Sequence, residues 1–288
     1  MSIVVTGATG HLGRLVVESL VDRGVTPADI VATGRAAERL APLAGLGVRT
    51  AVADYTDSAA LDTALEGAGA VLLVSGSEAG QRVAQHGNVV AAAARAGVGL
   101  LGYTSIAHAG TAQHALATDH RETERVIRAS GVPFTFLRNS WYLENYLPQV
   151  PGYLEHGVVG ASGDGRVSAA TRADYADAAA AALLDPTSAG RTYELGGASS
   201  FTLAELAETV AAASGREVGH TEVSPEQLTE ILVGAGLPRP YAEALVSADL
   251  GIARGELEVT SGDLERLIGR TPTPLRDAVD AALATLTA

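Results

Sequence analysis

Short apolar runs alternate with longer stretches of helical period through the first half of the chain, as far as about residue 146. That alternation predicts a parallel sheet covered by helices on both faces. The expected strands are Ile3–Thr6, Ile30–Thr33, Val48–Val52, Ala70–Val74, Leu100–Thr104 and Phe134–Leu137. Between them the spacing predicts helices over Leu12–Asp22, Ala59–Leu65, Val83–Ala96 and Arg121–Ala129. Gly24, Gly67, Gly97 and Gly131 stand where a left-handed residue closes a helix. Right-handed crossovers then give a doubly wound sheet.

After Tyr146 the rhythm changes. Pro148, Pro151 and Gly152 interrupt the pattern, and Gly160 to Gly165 reads as a turn-rich stretch. Thr202 caps a helix through Leu203–Ala213 that ends at Gly215. Ser224-Pro225-Glu226-Gln227 reads as a capping box with proline at the first helical position, and Pro274 opens a last helix through Leu283. The expectation is an α/β doubly wound parallel-sheet Rossmann fold. Its dinucleotide-binding core occupies residues 1–147. Residues 148–288 hold the remaining core elements and a smaller, mostly helical C-terminal lobe that takes the substrate.

Composition narrows the function. With 47% hydrophobic and 18% charged residues, the 288-residue chain suits a well-buried core. It has no cysteine, which excludes disulfides, thiolate metal sites and cysteine nucleophiles. A net charge of −13 argues against a nucleic-acid partner. No basic segment precedes an apolar one at the N-terminus, and Val89 to Ala94 is too short to span a bilayer before Arg95 interrupts it. A soluble, cytoplasmic protein without membrane insertion is expected, and homo-oligomerisation stays open. Every basic residue other than histidine is arginine, so no mechanism that needs a lysine is available.

The sharpest local signal is Thr6-Gly7-Ala8-Thr9-Gly10-His11-Leu12-Gly13, directly after the first strand and opening the first helix. Gly7 permits the turn out of the strand, Gly10 lets backbone approach a pyrophosphate, and Gly13 lets the helix pack close to the sheet. The helix start then offers free amides and the positive end of its dipole to the anion. The second strand ends Ala32-Thr33-Gly34-Arg35, without the carboxylate that holds a ribose 2′-hydroxyl in NAD-preferring sites. Arg35 has the charge and fork geometry for a 2′-phosphate, with Arg39 one helical turn later to assist, so NADPH is the expected cofactor. No metal site is expected.

With this turn and Arg35, the segments Ser75-Gly76-Ser77-Glu78, Tyr103-Thr104-Ser105 and Leu137-Arg138-Asn139-Ser140-Trp141-Tyr142 resemble the NmrA-like atypical short-chain dehydrogenase/reductases. Within that group the chain is most similar to the type 2 NAD(P)H:quinone oxidoreductases, and Ala170-Thr171-Arg172-Ala173-Asp174-Tyr175 extends the likeness into the second half. The resemblance implies that Gly7–Leu12 hold the pyrophosphate and Arg35 the 2′-phosphate. It places Ser75, Gly76 and Ser77 on the adenosine–ribose side. Asn139, Ser140, Trp141, Tyr142, Leu143 and Glu144 would lie near the nicotinamide, with Thr171 close by. Asp174 reads as a charge at a helix start.

The Tyr-x-x-x-Lys pair of the wider superfamily cannot exist here, which sets aside alcohol dehydrogenation and sugar-nucleotide epimerisation. NmrA-like enzymes that reduce phenylpropanoids carry a lysine where this chain has His120. Quinone reduction demands less: the acceptor is electrophilic, so holding its ring against the nicotinamide is the main requirement. Protonation of the product falls to water or a weak acid, for which His120, Ser105 and Tyr103 are the candidates. His120 itself reads as an exposed residue at a helix start. The alternative function is a non-enzymatic NADP(H)-sensing regulator of the NmrA type.

Overall fold

The computed structural model describes residues 2–76, 78 and 80–286. Its elements begin β1 (Ser2–Val5), α1 (His11–Asp22), β2 (Ile30–Gly34), α2 (Ala37–Ala44), β3 (Arg49–Val52), α3 (Ser58–Leu65) and β4 (Ala68–Leu73). They continue with α4 (Arg82–Arg95), β5 (Leu100–Ile106), α5 (Ala115–Ser130), β6 (Phe134–Asn139), α6 (Val150–His156) and β7 (Val158–Gly160). The remainder are α7 (Arg172–Leu184), β8 (Thr192–Leu195), α8 (Leu203–Ser214), β9 (His220–Glu222), α9 (Pro225–Gly234), α10 (Arg239–Ala253), α11 (Asp263–Ile268) and α12 (Leu275–Leu286). Two units emerge, one from residues 1–106, 119–139 and 172–193, the other from 107–118, 140–171 and 194–288.

In the first unit the strands follow the order β3-β2-β1-β4-β5-β6. Neighbours from β3 to β6 run parallel, in registers such as Val5 with Ala32 and Leu72 with Gly102. All six strands expected from the sequence are present. The order reverses on either side of β1, which puts the switch point of the sheet at the carboxyl ends of β1 and β4. One face buries Val4, Val71, Leu73, Leu101, Tyr103 and Phe136 against helix side chains that include Leu61, Leu65, Val89 and Ile127. α1 packs against α7, whose alanines allow close approach. Ser19 Oγ seals that pair by donating to Asp177 at 2.7 Å. The four glycines expected to close helices, Gly24, Gly67, Gly97 and Gly131, all have positive φ.

The second unit is mostly helical. Thr202 and Glu205 form a capping box at the start of α8, and Ser224 and Gln227 form another at α9, with Pro225 in its first turn. α9 and α10 pack together, and Leu228 and Val246 share a small cluster with Ala161. β7 and β9 make a two-stranded parallel sheet.

Several elements depart from the pattern-based expectation. α2 forms in a stretch with no expected helix, despite an internal Pro42, because Leu40 and Leu43 are both buried. Pro151, expected to interrupt, stands in the first turn of α6, where a missing amide hydrogen costs nothing. α5 begins at Ala115, six residues ahead of the expected start. No helix among the described residues is long and apolar enough to cross a membrane.

Candidate cofactor site

β1 leads directly into the glycine turn. Gly7 takes φ +62°, a left-handed conformation that a side chain would strain, and a Cβ there would lie 3.2 Å from the Tyr55 hydroxyl. Gly10 occupies the cap position of α1 without any side-chain bond to the first amides, and both Gly10 and His11 are exposed. First-turn amides have no partner inside a helix, so this helix start is open to an anion. A Cβ on Gly13 would fall 2.5 Å from the Gly7 carbonyl oxygen, and one on Gly34 would fall 2.4 Å from Thr9 Cγ2. The glycines let turn, helix and neighbouring strand approach closer than any side chain would permit. The amides of Ala8 and Gly10 are spent on holding the turn, donating to Thr33 O at 2.8 Å and Gly7 O at 2.9 Å. Leu12 is buried beneath it.

Below the turn lies Tyr55, a residue that the sequence reading missed. Its hydroxyl donates to Val74 O at 2.7 Å and lies 2.6 Å from Thr6 Oγ1. Those bonds tie the segments after β1, β3 and β4 together, and burial pushes the phenol's pKa up. The clue in the sequence is an Asp-Tyr pair just beyond the third strand.

Arg35 follows β2 with its side chain 66% exposed. Its Nη1 donates to Glu78 Oε1, and its Nε lies 3.9 Å from Asp54 Oδ2. Asp54 accepts the hydroxyl and the amide of Thr56, at 2.6 and 2.7 Å, and those two bonds, with a smaller contribution from Arg35, hold its pKa down. Arg39 lies exposed on the first turn of α2. Ser75 and Gly76, just after β4, are firmly seated. Ser75 N donates to Thr104 Oγ1 at 2.8 Å, and Gly76 N to His86 Nε2 at 3.0 Å. Arg82 Nε returns a bond to Gly76 O at 2.7 Å. Ser77 lies outside the described residues.

The three proposed proton donors are buried. Tyr103 is 0% exposed, and its hydroxyl lies 2.7 Å from His120 Nδ1. Burial pushes its pKa up, making it a poorer acid. His120 is not the exposed residue at a helix start that the sequence reading expected: it is 7% exposed, within α5, because the helix begins earlier and turns this face to the sheet. Ser105 Oγ donates to Glu124 Oε1 at 2.8 Å, and Arg138 clamps the same carboxylate with bonds of 2.8 and 2.7 Å. Asp174 stands in the first turn of α7, as expected, and is fully buried there.

Asn139 is buried at the end of β6. In the second unit, Ser140 is also buried, and its hydroxyl donates to Leu257 O at 2.7 Å. Ala170 pairs with Tyr142, donates to Trp141 O at 3.0 Å and accepts from Leu143 N at 2.9 Å. That short ladder sets Thr171 next to the segment Trp141–Leu143. Trp141, Tyr142 and Glu144 are half-buried and Leu143 is buried.

A family model for the NmrA-like family matches residues 1–275. The chain belongs to the NmrA-like family. It is 45% identical over 278 residues to quinone oxidoreductase 2 of Escherichia coli, covering 96% of this chain and 97% of that protein. The crystal structure of the Escherichia coli NADPH-dependent quinone oxidoreductase with NADPH superposes with a TM-score of 0.95 at 43% identity, over 98% of this chain and 99% of the other. The triphenylmethane reductase of Citrobacter, solved as a complex with NADP(H), superposes with a TM-score of 0.93 at 38% identity, over 98% of this chain and all of the other. Fold and family therefore agree with the expectation from the sequence.

Proposed function

We propose that this NmrA-like protein is an NADPH-dependent oxidoreductase that reduces a quinone or a similarly electrophilic acceptor. One observation carries the reading: an open, uncapped helix start beside a guanidinium on the next strand, in a chain 45% identical end to end to a quinone oxidoreductase. The site fits the cofactor by its own geometry, since Gly10 and His11 leave the start of α1 exposed and without a side-chain cap.

In this reading the residues from Gly7 to Leu12 bind the pyrophosphate, through the first amides of α1 and the helix dipole. Arg35 binds the 2′-phosphate through charge-assisted hydrogen bonds. Ser75 and Gly76 border the adenosine ribose, and Asn139–Glu144 with Thr171 border the nicotinamide. The bound cofactor supplies the hydride, and the protein's task is to hold an acceptor ring against it and keep water from the face between them. Tyr103, Ser105 and His120 are buried and already bonded, so in this reading the product's proton comes from solvent and these three serve as framework in β5 and α5. Action in the cytoplasm belongs to the same proposal.

The test is direct. Loss of reduced-nicotinamide absorbance is followed with NADPH, with and without a benzoquinone acceptor. Acceptor-dependent oxidation is expected; tight NADPH binding with no turnover on any quinone would replace this reading by that of a cofactor-sensing regulator.

A further inference from the structure

We propose that Glu78 sets how strongly the site prefers a phosphorylated dinucleotide, by competing with the 2′-phosphate for Arg35. The inference rests on the reading of Arg35 as the phosphate ligand. NAD-preferring members of the Rossmann class place a carboxylate at the end of the second strand, and this chain has glycine and arginine there. The fold delivers a carboxylate to the same guanidinium from another direction, the loop after β4.

Glu78 is not a loose surface side chain that met an arginine by chance. One carboxylate oxygen accepts from Arg35 Nη1, and the other accepts from Gln85 Nε2 at 2.7 Å. Gln85 is 6% exposed and sits in the first turn of α4, so it offers a fixed donor. Two residues earlier, the backbone of Gly76 is held at its amide by His86 and at its carbonyl by Arg82. The carboxylate is thus seated from behind and presented to Arg35. Asp54 adds a second negative charge on the guanidinium, 3.9 Å from Nε.

The consequence for binding is electrostatic. A phosphate arriving at Arg35 has to displace Glu78 or lie beside it with like charge, and either lowers its affinity. A ribose 2′-hydroxyl meets the opposite situation, because a carboxylate is a good acceptor for its hydrogen. Glu78 therefore weakens NADPH, spares or favours NADH, and leaves a smaller preference than Arg35 alone would give.

The experiment measures dissociation constants for NADPH and NADH, by calorimetry, on the wild type, Glu78→Gln, Arg35→Ala and the double variant. Glu78→Gln is expected to tighten NADPH about two- to fivefold, the scale of one exposed ion pair, with NADH unchanged or weaker. In the Arg35→Ala background the same change should tighten NADPH less, because only the like-charge repulsion is then left to relieve. Glu78→Ala repeats the measurement should the glutamine variant fail to fold. A selective loss of NADPH in Arg35→Ala, with no rise in NADPH preference in either Glu78 variant, overturns the role of Glu78 and leaves Arg35 in place. Equal weakening of both cofactors by Arg35→Ala overturns the reading of Arg35 and this proposal with it.

Discussion

His86 Nε2 accepts the amide hydrogen of Gly76 at 3.0 Å, which leaves Nδ1 as the ring's donor, 2.9 Å from Thr123 Oγ1. Thr123 Oγ1 in turn donates a hydrogen bond to Asp119 O at 2.8 Å. The loop after β4 is thereby anchored to α5 through one neutral imidazole, and a protonated ring would have no lone pair left for Gly76.

Burial, with the nearby Arg82 charge, lowers the pKa of His86 to about 3. A histidine kept neutral in the fold but free to charge when unfolded costs stability as pH falls from its ordinary value near 6.5 toward about 3, and contributes fully above that window. Thermal melting from pH 7 to pH 4 should fall by up to about 1.4 kcal/mol per pH unit on account of this residue. In His86→Gln that part of the slope should vanish. An unchanged slope would mean that His86 titrates normally.

Asp249 works in the opposite sense. Burial lifts its pKa to about 6, although the amide of Ala161 donates to it at 3.0 Å. The folded protein then binds a proton more tightly than the unfolded chain, so stability drops as pH rises from about 4 to about 6 and stays lower above. Asp249→Asn should stabilise the protein by roughly 1–2 kcal/mol at pH 7.5 and by little at pH 4. Denaturant melts at the two pH values decide it.

Arg35→Ala should weaken NADPH by roughly 1–3 kcal/mol and NADH far less, as loss of a charge-assisted phosphate contact requires. Titrations of both cofactors provide the check.

Gly13→Ala would force a methyl group to 2.5 Å from the Gly7 carbonyl oxygen, and backbone there has nowhere to go. About 1–3 kcal/mol of stability should be lost as α1 shifts from the sheet, together with NADPH affinity. Unchanged melting and binding would mean that helix and turn tolerate a wider spacing.

Tyr103→Phe removes a hydroxyl bonded to His120 inside the core. The expected cost is about 1 kcal/mol of stability, with kcat for NADPH-dependent quinone reduction within about twofold of wild type. A loss of kcat of a hundredfold or more would restore Tyr103 as a proton donor.

What the sequence determined by itself was whatever depends on neighbours along the chain. Strand and helix period, the glycine closures at Gly24 and Gly131, the cap at Thr202, the capping box at Ser224 and the turn from Gly7 to Gly13 are local, because backbone sterics and first-turn hydrogen bonds act over a few residues. Arg35 was legible for the same reason, standing at the end of one strand. Contacts between distant segments were not. That Tyr55 lies beneath Gly7, that Glu78 and Asp54 both face Arg35, and that His120 is buried against Tyr103 follow from the order in which parallel strands lie side by side. That order is decided by burying both faces of the sheet at once, a condition on the whole core that no single segment carries.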